Sequence, residues 1–275
     1  RYEYANLYHS MMDFIGAWMG AEVAGVHWER TQVILFDAHE EALLDEVWSN
    51  VFSRSVDRPM ARMENFRALN APICFNKLII APTGHAVQFM KQPPVDCTHS
   101  SILDEFVAFF LDGMNIPHAL KLSERKSIIP QVTLVVRRPY VAHPRNPTGK
   151  VVRQWHNERQ VIDVLQGYCR QGDLCHLQVV DFAKLSIREQ ITLITETDIL
   201  VGVHGAALTH LLFLPSHASV VEVGGRNMCF RILAEYKGTN HILIKATMGH
   251  KVNISPDQLV TGVSQAIDFM KSKIK

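Results

Sequence analysis

From residue 127 onward, short apolar runs alternate with stretches whose apolar positions recur every three or four residues. Residues 132–136, 177–180, 199–203, 219–223 and 242–244 read as strands. The β-branched run at 199–203 has the pattern of a strand buried on both faces of a parallel sheet. Between and after them, residues 157–168, 186–195, 206–214, 228–237 and 256–274 read as helices, the third stopped by Pro215. Such alternation implies βαβ units with right-handed crossovers, and ligands in such sheets sit beyond the carboxyl ends of the strands.

The first part of the chain is also α/β in character but less regular. Residues 4–26 carry Leu7, Met11, Met12, Phe14, Ile15, Trp18 and Met19 at helical spacing, with entry near Asn6. Residues 31–36 and 73–81 predict strands, the second ending at Pro82, while residues 40–52 and 100–114 predict helices. Gln92-Pro93-Pro94 is a loop or an edge, because proline has no ladder donor. The change of rhythm places a domain boundary near residue 126, giving domains of residues 1–126 and 127–275. A proline-rich linker at 139–149 predicts an ordered or mobile loop that helps to cover a site.

At 275 residues and 47% apolar content, the chain can bury a full core. Its net charge of +1, with both signs interspersed, gives no footprint for nucleic acid. No apolar run approaches the roughly 20 residues that span a bilayer, and neither a signal pattern nor an anchor is read in this chain. The five cysteines form no C-x-x-C pair and no zinc spacing. They read most simply as buried thiols, with Cys169 and Cys175 able instead to close a small loop, so the compartment stays open.

The chemistry concentrates in D-I-L-V-G-V-H-G-A-A-L-T-H-L-L-F-L-P, residues 198–215. Strand, tight glycine turn and helix start (Gly202, Val203, His204, Gly205, Ala206, Ala207) point unpaired amides and a helix dipole at one spot, a geometry that holds phosphate. A plain β-α turn, with glycines serving only packing, is the alternative. Arg138, at a strand end, could grip two diphosphate oxygens; otherwise it is a surface or ion-paired arginine. Arg153 and Asn157 could add charge and hydrogen bonds to the same anion, or Asn157 could simply cap a helix. Glu222, ending a buried strand, could accept from ribose hydroxyls or pair with a basic side chain. His204 could donate to phosphate or be structural. His9 and Asp13 share a helix face and could activate an acceptor hydroxyl; the plainer reading is a surface pair worth a few tenths of a kcal/mol.

Three blocks of sequence resemble glycosyltransferase family 61. They are G-V-H-G-A-A-L-T-H-L-L-F-L-P followed by A-S-V-V-E-V, the opening Asn6-Leu7-Tyr8-His9-Ser10-Met11-Met12-Asp13, and Val136-Arg137-Arg138 with Arg153-Gln154-Trp155-His156-Asn157-Glu158. They fall in the family's order. Ala207 replaces the family's second glycine, and Arg137 precedes the strand-end Arg138. Within the family the glycine-turn block looks most similar to the EGF-domain O-GlcNAc transferases.

The resemblance implies an α/β fold of GT-B type, two Rossmann-like domains facing each other across a cleft. The first domain would serve the acceptor and the second the nucleotide sugar. It implies an inverting glycosyltransferase that moves GlcNAc or a pentose from a UDP-sugar, its co-substrate, to a hydroxyl of a protein or glycan acceptor. The base would be Asp13 or His9. It also implies work in the secretory pathway lumen, in the endoplasmic reticulum or Golgi. No D-x-D occurs in the sequence, so neutralisation of the leaving diphosphate falls to arginines and amides, with no tightly bound cofactor and no required divalent metal. Two other classes share the sheet pattern. An NAD(P)-dependent oxidoreductase would need G-x-G-x-x-G after its first strand, which is absent here. A non-catalytic nucleotide-sugar-binding relative would keep the donor pocket without the base.

Overall fold

A computed structural model of the chain describes residues 4–37, 39–67, 69–81, 84–125, 127–141, 148–225 and 227–273. Most of the proline-rich linker falls at 142–147, outside the described residues. Backbone contacts divide the chain into two units, Arg1–Lys91 with Glu105–Ile116, and Gln92–Asp104 with Pro117–Lys275.

The first unit is built on α1 (Leu7–Val23), which starts where Asn6 accepts the amide of Tyr8 at 3.1 Å and so meets one orphan donor of the first turn. Its Met11, Phe14, Ile15 and Trp18 are buried. Phe14 meets the rings of Trp48, Phe52 and Phe110 at centroid distances of 4.8, 5.7 and 6.1 Å. Each such aromatic pair adds about 0.5–1.5 kcal/mol beyond its buried area. Phe110 comes from α2 (Ser101–Met114), the helix predicted at 100–114.

Other expectations for this unit need correction. The strand at 31–36 contracts to Ile34–Leu35, which pairs in parallel with Ala61–Arg62. The helix at 40–52 begins only at Asp45 and widens to a π-turn over Trp48–Phe52. Residues 73–81 form no regular element and are largely exposed, with Leu78 and Ile80 among them. An apolar run reads as a buried strand only where another strand or a helix covers it, and sequence carries no record of that cover.

The second unit follows its predicted rhythm closely. Among the described residues, β1 (Gln131–Val135), β2 (His176–Val180), β3 (Ile199–Val203), β4 (Ser219–Val223) and β5 (Asn240–Ile244) form one parallel sheet in the order β2-β1-β3-β4-β5. Every residue of β3 and β4 is buried, in β4 including Ser219 and Glu222. On one face α3 (Glu158–Arg170) and α6 (Pro256–Ser272) bury Val161, Leu165, Leu259, Val263 and Ile267 against the strands. The other face carries α4 (Ile187–Thr195), α5 (Cys229–Lys237) and a 3-10 helix, Ala206–Phe213. That last element, expected as an ordinary helix, is wound tighter.

The cysteine pair chooses the loop alternative. Cys169 and Cys175 form a disulfide, tying the end of α3 to the start of β2, rather than remaining thiols. A second short parallel pair, Gln154–Trp155 with Lys251–Val252, was not legible in the sequence. The indole of Trp155 donates to the Val135 carbonyl at 2.9 Å, fastening the chain before α3 to the end of β1.

The sheet is locked at its amino end by Asp198, which is fully buried. Its carboxylate takes hydrogen bonds from Arg125, from His217 Nε2 at 2.7 Å and from the Gln131 amide at 2.8 Å. Burial pushes its pKa up, but the His217 and Arg125 hydrogen bonds, the amide and the Arg125 charge outweigh that and hold it below its ordinary value. A group with a depressed folded pKa stabilises the fold above its unfolded pKa and loses that contribution as pH falls through the folded one. Asp198→Ala strands three donors and is expected to cost about 3–5 kcal/mol in chemical denaturation at neutral pH, a deficit that shrinks as pH falls through the carboxylate range.

Candidate functional site

In the order β2-β1-β3-β4-β5, the direction of strand progression reverses between β1 and β3, and doubly wound sheets bind ligands at the carboxyl ends of such a pair. Beyond β1 come Val136, Arg137 and Arg138; beyond β3 come His204, Gly205, Ala206 and Ala207. Gly202 and Val203 are buried within β3 itself. A Cβ on Gly202 would lie 3.1 Å from Leu208 Cδ2, so this glycine lets the 3-10 helix pack closely on the strand.

Gly205 has a different reason to be glycine. Its backbone is extended, which any residue can adopt, but a Cβ there would lie 2.5 Å from Arg137 Nη1 and 3.3 Å from Arg137 Cζ. The guanidinium therefore rests directly on the turn. Among the described residues, nothing accepts a hydrogen bond from the amides of Gly205, Ala206 or Ala207. Arg137 Nη1 is likewise buried with no partner. Buried backbone amides and guanidinium nitrogens are seldom left so, because each lost hydrogen bond costs about 1–3 kcal/mol and more for a charged group.

Arg153 adds to the excess of positive charge. It has a left-handed backbone at φ 61°, uncommon for a residue with a side chain, and it precedes the Gln154–Trp155 strand. Burial lowers the pKa of Arg137, and repulsion from Arg153 lowers it further. Arg138, the arginine expected at the turn, is instead half-exposed and paired with Glu158 at 2.9 Å. Asn157 sits at the start of α3 without a side-chain capping bond. Its Nδ2 donates to the Ile254 carbonyl at 2.9 Å, and its Oδ1 is buried without a donor.

Glu222 is buried in β4 and its oxygens are already engaged: Oε1 with His204 Nδ1, and Oε2 with His241 Nε2 at 2.7 Å. Burial pushes its pKa up, while the hydrogen bonds and charges of the two histidines bring it below the ordinary glutamate value. Its carboxylate is thus occupied before any ribose arrives. Phe230 of α5 covers the His204 ring edge-on at 5.1 Å. The Cys229 thiol is pushed up to about 12, chiefly by burial and then by the Glu222 charge, so it stays protonated. His210, wholly buried beside Phe182, is lowered to about 4 by burial and is neutral, with Nδ1 donating to the Ala207 carbonyl.

His9 and Asp13 lie four apart on α1 of the first unit. The Gly84 amide donates to Asp13 Oδ1 at 2.8 Å, whereas Oδ2 is buried without a partner among the described residues. A Cβ on Gly84 would approach Met12 Cβ to 2.9 Å, so only glycine delivers that amide. Sequence reasoning missed Arg137, Gly84 and His241 as participants. The adjacent arginines offered a signal without a way to choose, since alternate residues of an extended segment point to opposite sides. Gly84 and His241 reach their partners only through tertiary contacts.

The sequence profile described as Glycosyltransferase 61 matches residues 7–221. A β-1,2-xylosyltransferase of Oryza sativa subsp. japonica is 29% identical over 242 residues, covering 81% of this chain and 43% of that protein. The corresponding Arabidopsis thaliana enzyme is 26% identical over 274 residues, covering 88% and 49%. An EGF domain-specific O-linked N-acetylglucosamine transferase of Drosophila melanogaster is 24% identical over 245 residues, covering 86% and 42%. The chain thus spans less than half the length of these relatives, and it is more similar to the xylosyltransferases than to the transferase group its glycine turn resembles. With the profile running from α1 through the glycine turn to β4, the chain belongs to glycosyltransferase family 61.

Proposed function

We propose that the chain is a UDP-sugar-dependent inverting glycosyltransferase of GT-B organisation, acting on a hydroxyl of a protein or glycan. The sheet unit would hold the nucleotide sugar, and the first unit would supply the acceptor side. One observation carries the reading: Arg137 Nη1, buried without a partner among the described residues, rests on a turn whose three amides lack acceptors there too. A diphosphate answers both deficits at once, since it brings charge and acceptor oxygens to the same place. Arg137 takes the role that the sequence assigned to Arg138, and Arg153 supplies a second positive charge.

In the reaction, the acceptor oxygen forms a bond to the anomeric carbon as the bond from that carbon to the β-phosphate oxygen breaks. The hydroxyl proton passes to Asp13 or His9, and the electron pair leaves with UDP. The unpartnered Asp13 Oδ2 supports Asp13 as the base, with Gly84 fixing the other oxygen. Charge building on the leaving group meets guanidinium groups and amides already in place, so the reading needs no divalent cation. The relatives' names support xylose or N-acetylglucosamine as the sugar. A disulfide between Cys169 and Cys175 suits the oxidising lumen of the secretory pathway.

Four measurements test this. Arg137→Ala is expected to weaken UDP-xylose or UDP-GlcNAc binding at least about tenfold by calorimetry, a loss of about 1.4 kcal/mol, while Arg138→Ala changes it less than about twofold. Equal losses in both would move the seat away from the turn. Gly205→Ala pushes the Arg137 guanidinium aside and should keep the melting temperature while losing the thermal shift given by UDP. Asp13→Asn should leave donor binding intact and lower kcat by about 10²–10⁴. Turnover should survive EDTA; its loss would reinstate a metal.

A further inference from the structure

Glu222 is the wrong residue to be idle. It lies in the middle of the unit, 1% exposed, yet it carries a carboxylate where neighbouring strand positions are apolar. Burying such a group costs several kcal/mol unless it is hydrogen-bonded and balanced. Both requirements are met by histidines from the strands on either side: His204 follows β3, and His241 belongs to β5. Of the two, His204 is next to the turn that holds the anion seat. Its Nδ1 is committed to Glu222, whereas its Nε2 has no partner among the described residues and is not fully buried.

We propose that Glu222 is a positioning residue that turns His204 Nδ1 into the sheet, so that Nε2 becomes a proton donor to the diphosphate in the anion seat. The inference rests on the nucleotide-sugar reading. An imidazole donating from both nitrogens is positive, and the Glu222 carboxylate supplies its balancing charge. His241 holds the second carboxylate oxygen, which keeps Glu222 from swinging to Arg137 or Arg153 and cancelling their charge. Two histidines are thereby spent on keeping one carboxylate out of the seat and turning it to a use.

The arrangement makes donor binding depend on pH in a predictable direction. The His204 ring meets Glu222 on β4 and Phe230 on α5; Glu222 in turn faces His241 on β5 and the Cys229 thiol, which also feels the charge of Arg153, and Arg153 feels Arg137. The cysteine stays protonated and the arginines stay charged through the neutral range. A UDP-sugar is the right probe, because its pyrophosphate is doubly esterified and does not titrate there. Wild-type affinity should weaken as pH rises through the range in which imidazoles in general lose their charge.

Glu222→Gln keeps the side chain's shape but removes the charge that balances His204. Calorimetric titration with UDP-xylose and UDP-GlcNAc should then show affinity about tenfold below wild type near pH 7.5, converging with wild type near pH 5. A Glu222→Gln protein that folds normally and keeps the wild-type pH profile overturns the proposal and leaves the donor site intact. If that variant does not fold, His204→Gln decides. It should bind weakly with little pH dependence, and retention of the wild-type profile would overturn the idea. Failure of the wild-type protein to bind either UDP-sugar at any pH would overturn the nucleotide-sugar reading and this inference together.

Discussion

Where the strand order of the sheet reverses, Arg137 buries one guanidinium nitrogen without a partner among the described residues. Arg137 Nη1 is buried against Gly205 with no acceptor, and Arg153 repels it from nearby. A guanidinium in that state costs several kcal/mol, which only a rigid surrounding can sustain. Rigidity comes from both sides. The Trp155 indole fastens the Arg153 segment to the end of β1, and the Gly202–Leu208 contact seats the 3-10 helix on β3. Take away either fastening and the arginine has room to turn to water.

The carboxylates of this unit are sorted so that none answers the seat. Glu158 is paired with Arg138, Asp198 with Arg125 and His217, and Glu222 with His204 and His241. Charge sorting of this kind is not visible in net charge, which is +1 for the whole chain. It is a property of partner choice, and it is what converts a neutral protein into one with a local positive field at a single turn.

How much of this was legible follows from where each signal resides. β3 could be read because a strand buried on both faces shows an unbroken run of apolar residues and glycine, and the glycine turn because Gly202 and Gly205 flank a strand end. Ser186 opening α4 was legible for a local reason: its hydroxyl and Glu189 cap one another three residues apart. The stretch at 73–81 has the same apolar composition as a strand but no neighbour to hydrogen-bond, and composition does not report neighbours. Choosing between Arg137 and Arg138 fails for a related reason. Adjacent residues leaving a strand face opposite ways, and the sequence shows the pair without the sheet's orientation.

The same distinction explains why a disulfide could be named only as an option. Cys169 and Cys175 are six apart in sequence, close enough to pair, yet the pairing depends on α3 ending just before the chain turns into β2. Once the helix and strand are in place, the Cys175 amide donates to the Cys169 carbonyl and the two side chains have nowhere else to go. Function depends on the fold in a parallel way. Amides without acceptors and a buried Arg137 Nη1 without a partner among the described residues are costs borne by the folded chain, and in the proposed reading a diphosphate would recover them on binding. Preorganised cost of this kind differs from flexible capture: the dipoles need no reorientation as charge develops on the leaving oxygen, which is where electrostatic catalysis draws its advantage over water. A site built so has to be small-residue lined and carboxylate-poor, and both conditions hold at Gly205, Ala206 and Ala207.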